Sequence, residues 1–310
     1  MKRYPKSIVA TCVIPWTERY EFDEPRFRTQ VRLLREKLTK HLYIFGTAGE
    51  GHAVSDTQFD RIARVFREET DCVDTTAMLG VISLSLPTML ERIERGRAMG
   101  YRHFQISLPS WGALNDDEVD TFFRETCGRF TDCKFLHYNL MRTKKLLTGD
   151  DYARLAAAHP NLVAVKTGSM DLEFLTGLLT KAPEIQYCVG EIAYGMLIEK
   201  YECSLLISLA ATNPCTAHDF FESRGEKLAR YTQELREGRE LLLSSVKGAH
   251  MDGAYDKLLY KVHDPEFPLR LLPPYSPADE SMYQNFLRGL KPHWRPERSS
   301  AVTEREPSLS

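Results

Sequence analysis

The stretch Pro160-Asn161-Leu162-Val163-Ala164-Val165-Lys166-Thr167-Gly168-Ser169 decides the fold. Four apolar residues end in a single lysine, with Pro160-Asn161 before them and Gly168 behind, which is the length and punctuation of a buried parallel strand. Period-two alternation puts Leu162, Ala164 and Lys166 on one face of it. If that face is the inside of a barrel, the ammonium lies in an apolar wall. Burial there disfavours the charged form and releases an amine able to attack a carbonyl and form a Schiff base. A lysine at a strand end is more often a solvated cap, because long charged side chains are mostly exposed. The strand alone therefore does not make Lys166 a nucleophile.

Outward from it, seven more apolar runs of strand length recur: 8–14, 43–45, 75–81, 103–107, 135–138, 185–189 and 205–209. Helical patterns lie between them. Ser55 is a good N-cap for 56–69, where Phe59, Ile62, Ala63 and Phe66 fall at i, i+3, i+4 and i+7, the stripe of a helix laid on a sheet. Gly100 closes 87–99, Asn115 caps 116–130, and Thr148 or Gly149 opens 150–158. Eight strands alternating with helices predict an α/β fold, a (β/α)8 TIM barrel with additional C-terminal helices. A doubly wound sheet is the alternative, and the lack of G-x-G-x-x-G after the first strand counts against its dinucleotide-binding form.

Past the eighth strand, 220–247 reads as one long helix and 253–260 as a short one. Pro265, Pro268, Pro273, Pro274 and Pro277 then break regular structure before an amphipathic helix at 279–290. The expected division is a barrel over 1–219, a helical extension packed on it over 220–292, and a disordered polar tail over 293–310.

Composition narrows the function. The chain has 310 residues, 43% of them hydrophobic, and 41 basic against 43 acidic residues give a net charge of −2. The basic residues are dispersed, which argues against nucleic acid and points to a small-molecule ligand. Seven cysteines form no C-x-x-C and read as reduced thiols of a cytoplasmic protein. The apolar run near the N-terminus leads into Trp16-Thr17-Glu18-Arg19 and reads as the first strand rather than a secretion signal. No stretch approaches the roughly 18 apolar residues of a membrane helix.

Chemistry in a barrel gathers at the C-terminal ends of the strands. The second runs into Gly46-Thr47-Ala48-Gly49-Glu50-Gly51, a turn whose N–H groups and threonine hydroxyl suit a carboxylate. The fifth ends in His137-Tyr138-Asn139, placing a phenol there, and the sixth in Lys166. Together these motifs resemble the dihydrodipicolinate synthase and N-acetylneuraminate lyase family of class I Schiff-base aldolases, which carries a G-[TS]-[TN]-G-E turn, a Y-N-x-P tyrosine and a strand-end lysine in that order. The resemblance runs from about residue 8 to about residue 290 and includes Val189-Gly190-Glu191 and Leu206-Ile207-Ser208.

The resemblance implies a lyase or aldolase, or a hydro-lyase, acting on pyruvate or a larger 2-keto acid. Lys166 would form the Schiff base and Tyr138 would move protons. Thr47, Ala48 and Gly49 would hold the carboxylate, with Gly190 and Ile207 lining the pocket through backbone atoms. It implies no metal or organic cofactor, and a homotetramer built as a dimer of dimers. Three further positions are candidates: His52 at the pocket mouth, Trp111 where the synthases place a tyrosine, and Arg142 in a loop one residue shorter than usual. Ala48 replaces a hydroxyl or amide side chain, and the proline after Tyr138-Asn139 is missing, so the chain departs from dihydrodipicolinate synthase itself. A catalytically silent relative that binds a keto acid or a protein partner is the alternative.

Overall fold

Each of eight short strands pairs in parallel with the next, and the last returns to the first to close a barrel. The computed structural model describes residues 3–296. In chain order the repeats are β1 (Ile8–Thr11), α1 (Glu24–Lys37), β2 (His41–Ile44), α2 (Asp56–Glu69), β3 (Thr76–Gly80), α3 (Leu86–Ala98), β4 (His103–Ile106), α4 (Asp116–Phe123), β5 (Lys134–Asn139), α5 (Gly149–Ala158), β6 (Leu162–Thr167), α6 (Leu172–Lys181), β7 (Gln186–Gly190), α7 (Glu191–Leu197) and β8 (Ser204–Ile207). With α8 (Pro214–Glu222) as the eighth helix the architecture is the expected (β/α)8 barrel, followed by α9 (Gly225–Ser245), α10 (Asp252–Tyr260) and α11 (Glu280–Gly289).

Local chemistry starts the helices where the sequence signals them. Ser55 with Gln58, Asn115 with Glu118 and Thr148 with Asp151 all form reciprocal capping boxes. Phe59, Ile62, Ala63 and Phe66 are buried along α2, so the helical stripe faces the strands. The main apolar layer lies between strands and helices. A smaller inner layer of Val9, Tyr43, Met78, Leu136, Val163, Ala164 and Cys188 fills the barrel. Tyr4 closes its lower end, its hydroxyl 2.8 Å from His41 Nδ1.

Three expectations need correction. The register of β5 on β6 slips between Phe135–Leu162 and Leu136–Ala164, leaving Val163 as an extra residue. Leu162 consequently packs in the outer layer while Val163 and Ala164 both lie in the inner one, so the expected alternation holds only from Ala164 onward. The single helix read over 220–247 is two, because Ser223 and Arg224 are extended and Gly225 takes a φ of 58°. Residues 293–296, assigned to the tail, are ordered: Pro292–Trp294 form a 3-10 turn, Trp294 is buried, and Asn213 donates to the His293 carbonyl at 3.0 Å. The rest of the expected tail, 297–310, lies outside the described residues.

No helix among the described residues is long and apolar enough to cross a membrane. All seven cysteines are free, and five of them are buried.

Candidate active site

The site begins where β2 ends. Phe45 and Glu50 both take left-handed φ values, 58° and 55°, and fold 46–51 tightly back over the strand end. A Cβ on Gly51 would stand 2.1 Å from the Phe45 carbonyl oxygen, so this position requires glycine. The turn is held from outside by Glu50. Its carboxylate accepts from Trp16 Nε1 at 2.9 Å, from Lys257 Nζ at 2.5 Å and from the Leu272 N–H at 2.7 Å, all buried. That pins the turn between the first strand's exit and the C-terminal helices. The Thr47 hydroxyl is buried and has no hydrogen-bond partner among the described residues.

Tyr138 and Lys166 each stand one residue before the end of β5 and β6 and are partners in register. The Lys166 ammonium lies 4.0 Å from the centre of the Tyr138 ring and 4.6 Å from that of Tyr43. Its one hydrogen bond among the described residues runs from Nζ to the Tyr43 hydroxyl, 3.0 Å. Burial brings the lysine down to about 8, and the negative charges of Asp252 and Asp256 oppose that shift without reversing it. Burial pushes the Tyr138 phenol up to about 12, so it carries its proton at neutral pH.

Two chambers open over the strand ends. One, of ≈ 470 Å³, is lined by Thr47, His52, Ser107, Arg142 and Tyr275 among others. The second, of ≈ 360 Å³, is lined by Gly168, Gly190, Glu191, Leu206, Ser208 and Asp256 among others. Arg142 borders the first and Asp252 the second, and the two are joined by an ion pair of 2.8 Å. In the second chamber the Glu191 carboxylate accepts the N–H groups of Ser208, 2.9 Å, and Ala210, 2.6 Å. Ser208 Oγ donates to Asp256 Oδ1 at 3.0 Å. Burial raises both carboxyls to about 7, with the charge of Asp252 adding to the effect at Asp256.

The structure thus brings Thr47, Tyr138 and Lys166 to one end of the barrel. Gly190 reaches the second chamber, and His52 lies at the first, its ring 4.9 Å from that of Tyr275 in an edge contact. The Ile207 side chain packs in the outer apolar layer, which leaves its expected backbone role open, and its neighbours Leu206 and Ser208 border the second chamber. Ala48 and Gly49 lie within the turn, the Ala48 carbonyl close against Gly253 of α10, and neither borders a chamber. Trp111 is 83% exposed on the loop after β4.

Sequence reading missed Tyr43, Asp252 and Asp256. Tyr43 carried a usable signal, since alternation along β2 puts it on the inner face, three residues before Gly46. The acids of α10 carried none, lying in a helix remote in sequence from the strand ends.

A family model described as the dihydrodipicolinate synthetase family matches residues 4–191. Among curated proteins, the chain is 27% identical over 170 residues to a Bradyrhizobium diazoefficiens protein described as "Probable 5-dehydro-4-deoxyglucarate dehydratase", covering 54% of this chain and 52% of that one. The chain thus spans about half the length of this curated relative. Solved structures that share the fold include two with bound ligands. One is YagE, a prophage protein of E. coli K12 belonging to the dihydrodipicolinic acid synthase family, in complex with pyruvate; its TM-score is 0.79 at 16% identity, over 91% of this chain and 96% of that chain. The other is CdNal of Clostridium difficile in complex with mannosamine, with a TM-score of 0.77 at 17% identity over 92% and 98%.

Proposed function

The chain belongs to the dihydrodipicolinate synthetase family, and from that premise we propose that it is a lyase that condenses Lys166 with the keto carbon of pyruvate or a larger 2-keto acid. The observation that carries this reading is the environment of Lys166. It is buried, forms no ion pair among the described residues, and is brought to about 8 by desolvation, which leaves a usable fraction of free amine near neutral pH.

In this reading the amine nitrogen attacks the keto carbon, the carbonyl oxygen takes one proton released by that nitrogen and a second from Tyr138, and its loss as water leaves an iminium that keeps the remaining N–H. The iminium then accepts the electron pair of an adjacent C–H or C–C bond and becomes an enamine. Tyr138, protonated and against the lysine, gives the departing oxygen its proton and takes one back in the return step. The unpartnered Thr47 hydroxyl and the turn's N–H groups hold the carboxylate. The rest of the substrate extends into the chambers, whose Arg142, Glu191, Ser208 and Asp256 offer polar contacts. Dehydration and aldol cleavage both proceed from the same iminium, and the curated relative's description favours dehydration as the first activity to assay. The reading carries the expectation of a tetramer, and Leu84, Trp111 and Met141, all exposed on loops after neighbouring strands, are apolar surface that such an assembly would cover.

The test is exchange of the pyruvate methyl protons for solvent deuterium, followed by NMR. Enamine formation predicts exchange catalysed by the protein and abolished in Lys166→Arg. Absence of exchange with pyruvate and with longer 2-keto acids would favour a silent binding protein.

A further inference from the structure

Lys166 sits in a site that offers it few partners, and its one acceptor among the described residues is unlike the rest of the machinery. A free lysine amine has two N–H bonds, an ammonium three, and an iminium formed on the same nitrogen keeps only one. The single hydrogen bond observed runs to Tyr43, on β2, four positions round the barrel from the β6 of Lys166 and so across its interior.

Tyr43 is held firmly. It is 3% exposed, packs in the inner layer, and pairs in register with Thr11 on one side and Met78 on the other. A Cβ on Gly46 would stand 2.8 Å from Tyr43 Cε2, so the ring occupies space that the glycine leaves open. The phenol is thus a fixed acceptor. Burial also holds its pKa well above the ordinary value, so it keeps its proton and cannot serve as a base.

We propose that Tyr43 is the positioning residue of the Schiff-base lysine: its oxygen accepts an N–H of the free amine, and accepts the one N–H that remains when that nitrogen becomes an iminium. The proposal rests on the Schiff-base reading above. Tyr43 gains and loses no proton in any step. It fixes the nitrogen's orientation toward the carbonyl and stabilises the positive charge of the iminium, together with the ring faces of Tyr43 and Tyr138. The groups that act on Lys166 come from several elements: Tyr43 from β2, Tyr138 from β5, Cys188 from β7, and Asp252 and Asp256 from α10. Of these Tyr43 alone is within hydrogen-bond distance.

Tyr43→Phe keeps the ring and removes the acceptor. A hydrogen bond to a charged group is worth roughly tenfold to a hundredfold in an equilibrium, so the fraction of chain trapped by borohydride at a fixed pyruvate concentration should fall by about tenfold or more. An acceptor favours the charged nitrogen, so its loss should also move the pH midpoint of Lys166 arylation by fluorodinitrobenzene to lower pH, which a packing role would not do. A chain with 3-fluorotyrosine at position 43 keeps the hydroxyl as a weaker acceptor and should shift the midpoint in the same direction by less; it decides the matter if Tyr43→Phe fails to fold. Unchanged trapping with an unchanged midpoint overturns the proposal. If the wild-type chain traps no keto acid, the Schiff-base reading fails separately, and the arylation midpoint, which needs no substrate, still decides whether Tyr43 governs Lys166.

Discussion

Tyr138 and Lys166 are register partners on adjacent parallel strands, and the lysine nitrogen lies 4.0 Å from the centre of the phenol ring. A phenol so close to the nitrogen, and still protonated at neutral pH, is placed to act first as an acid. General acid–base groups contribute about 10²- to 10⁴-fold. Tyr138→Phe should therefore lower turnover of a 2-keto acid by that order, with an unchanged circular dichroism spectrum. Turnover within a few-fold of wild type would remove Tyr138 from the proton path.

Because burial lowers Lys166 to about 8, the amine fraction should fall about tenfold per pH unit below that value and level off above it. The rate of imine formation, read by stopped-flow trapping from pH 6 to pH 10, should follow that curve. The linkage has the same sign. A lysine whose folded value lies below its unfolded one binds fewer protons when folded, so its burial costs most at low pH and the cost is relieved as pH rises from about 8 toward 10.5. A rate that only begins to rise near the ordinary lysine value would show that the amine is solvated.

Asp256 holds a hydrogen bond from Ser208, and its charge favours the ammonium form of Lys166. Asp256→Asn removes that charge and keeps a similar shape, so the pH midpoint of imine formation should move to lower pH. Asp256 itself ionises near 7, so the difference between variant and wild type should be largest above that pH. A midpoint that stays put would place the carboxylate outside the field felt by the lysine.

Two ion pairs of similar length should differ in their effect on stability. Glu50 and Lys257 are fully buried at 2.5 Å, and Glu50→Ala leaves an uncompensated ammonium inside, at a cost of about 3–5 kcal/mol in urea unfolding. Arg142 and Asp252 are 46% and 33% exposed at 2.8 Å, so Asp252→Asn should cost less than about 1 kcal/mol. Equal losses would mean that the glycine turn is not anchored through Glu50.

Much of this barrel was legible, for reasons that particular residues make plain. Strand and helix periods differ, so β6 with Lys166 one residue from its end and α2 with its Phe59-Ile62-Ala63-Phe66 stripe could both be read locally, and Ser55 and Asn115 cap where their side chains reach the third helical N–H. The bulge at Val163 left no trace, because Leu162, Val163 and Ala164 are all apolar and suit either layer. The break between α8 and α9 hung on the backbone of Arg224 and Gly225 inside an otherwise helical composition. Glu50 was visible as part of its motif, but its partner Lys257 lies 207 residues on, a pairing that only the closed fold creates. Alternation along β2 could have put Tyr43 on the inner face, but which group its hydroxyl meets follows only from the closed barrel, where β6 places Lys166 3.0 Å from it.

The central claim is that Lys166 forms a Schiff base with a 2-keto acid, and borohydride reduction in the presence of pyruvate tests it most directly. Peptide mass spectrometry should find the mass of one pyruvate less one oxygen atom added at Lys166, and no such addition in Lys166→Arg. A folded wild-type chain that shows no adduct at Lys166 with any of a panel of 2-keto acids, or an adduct carried by another lysine, would contradict the account.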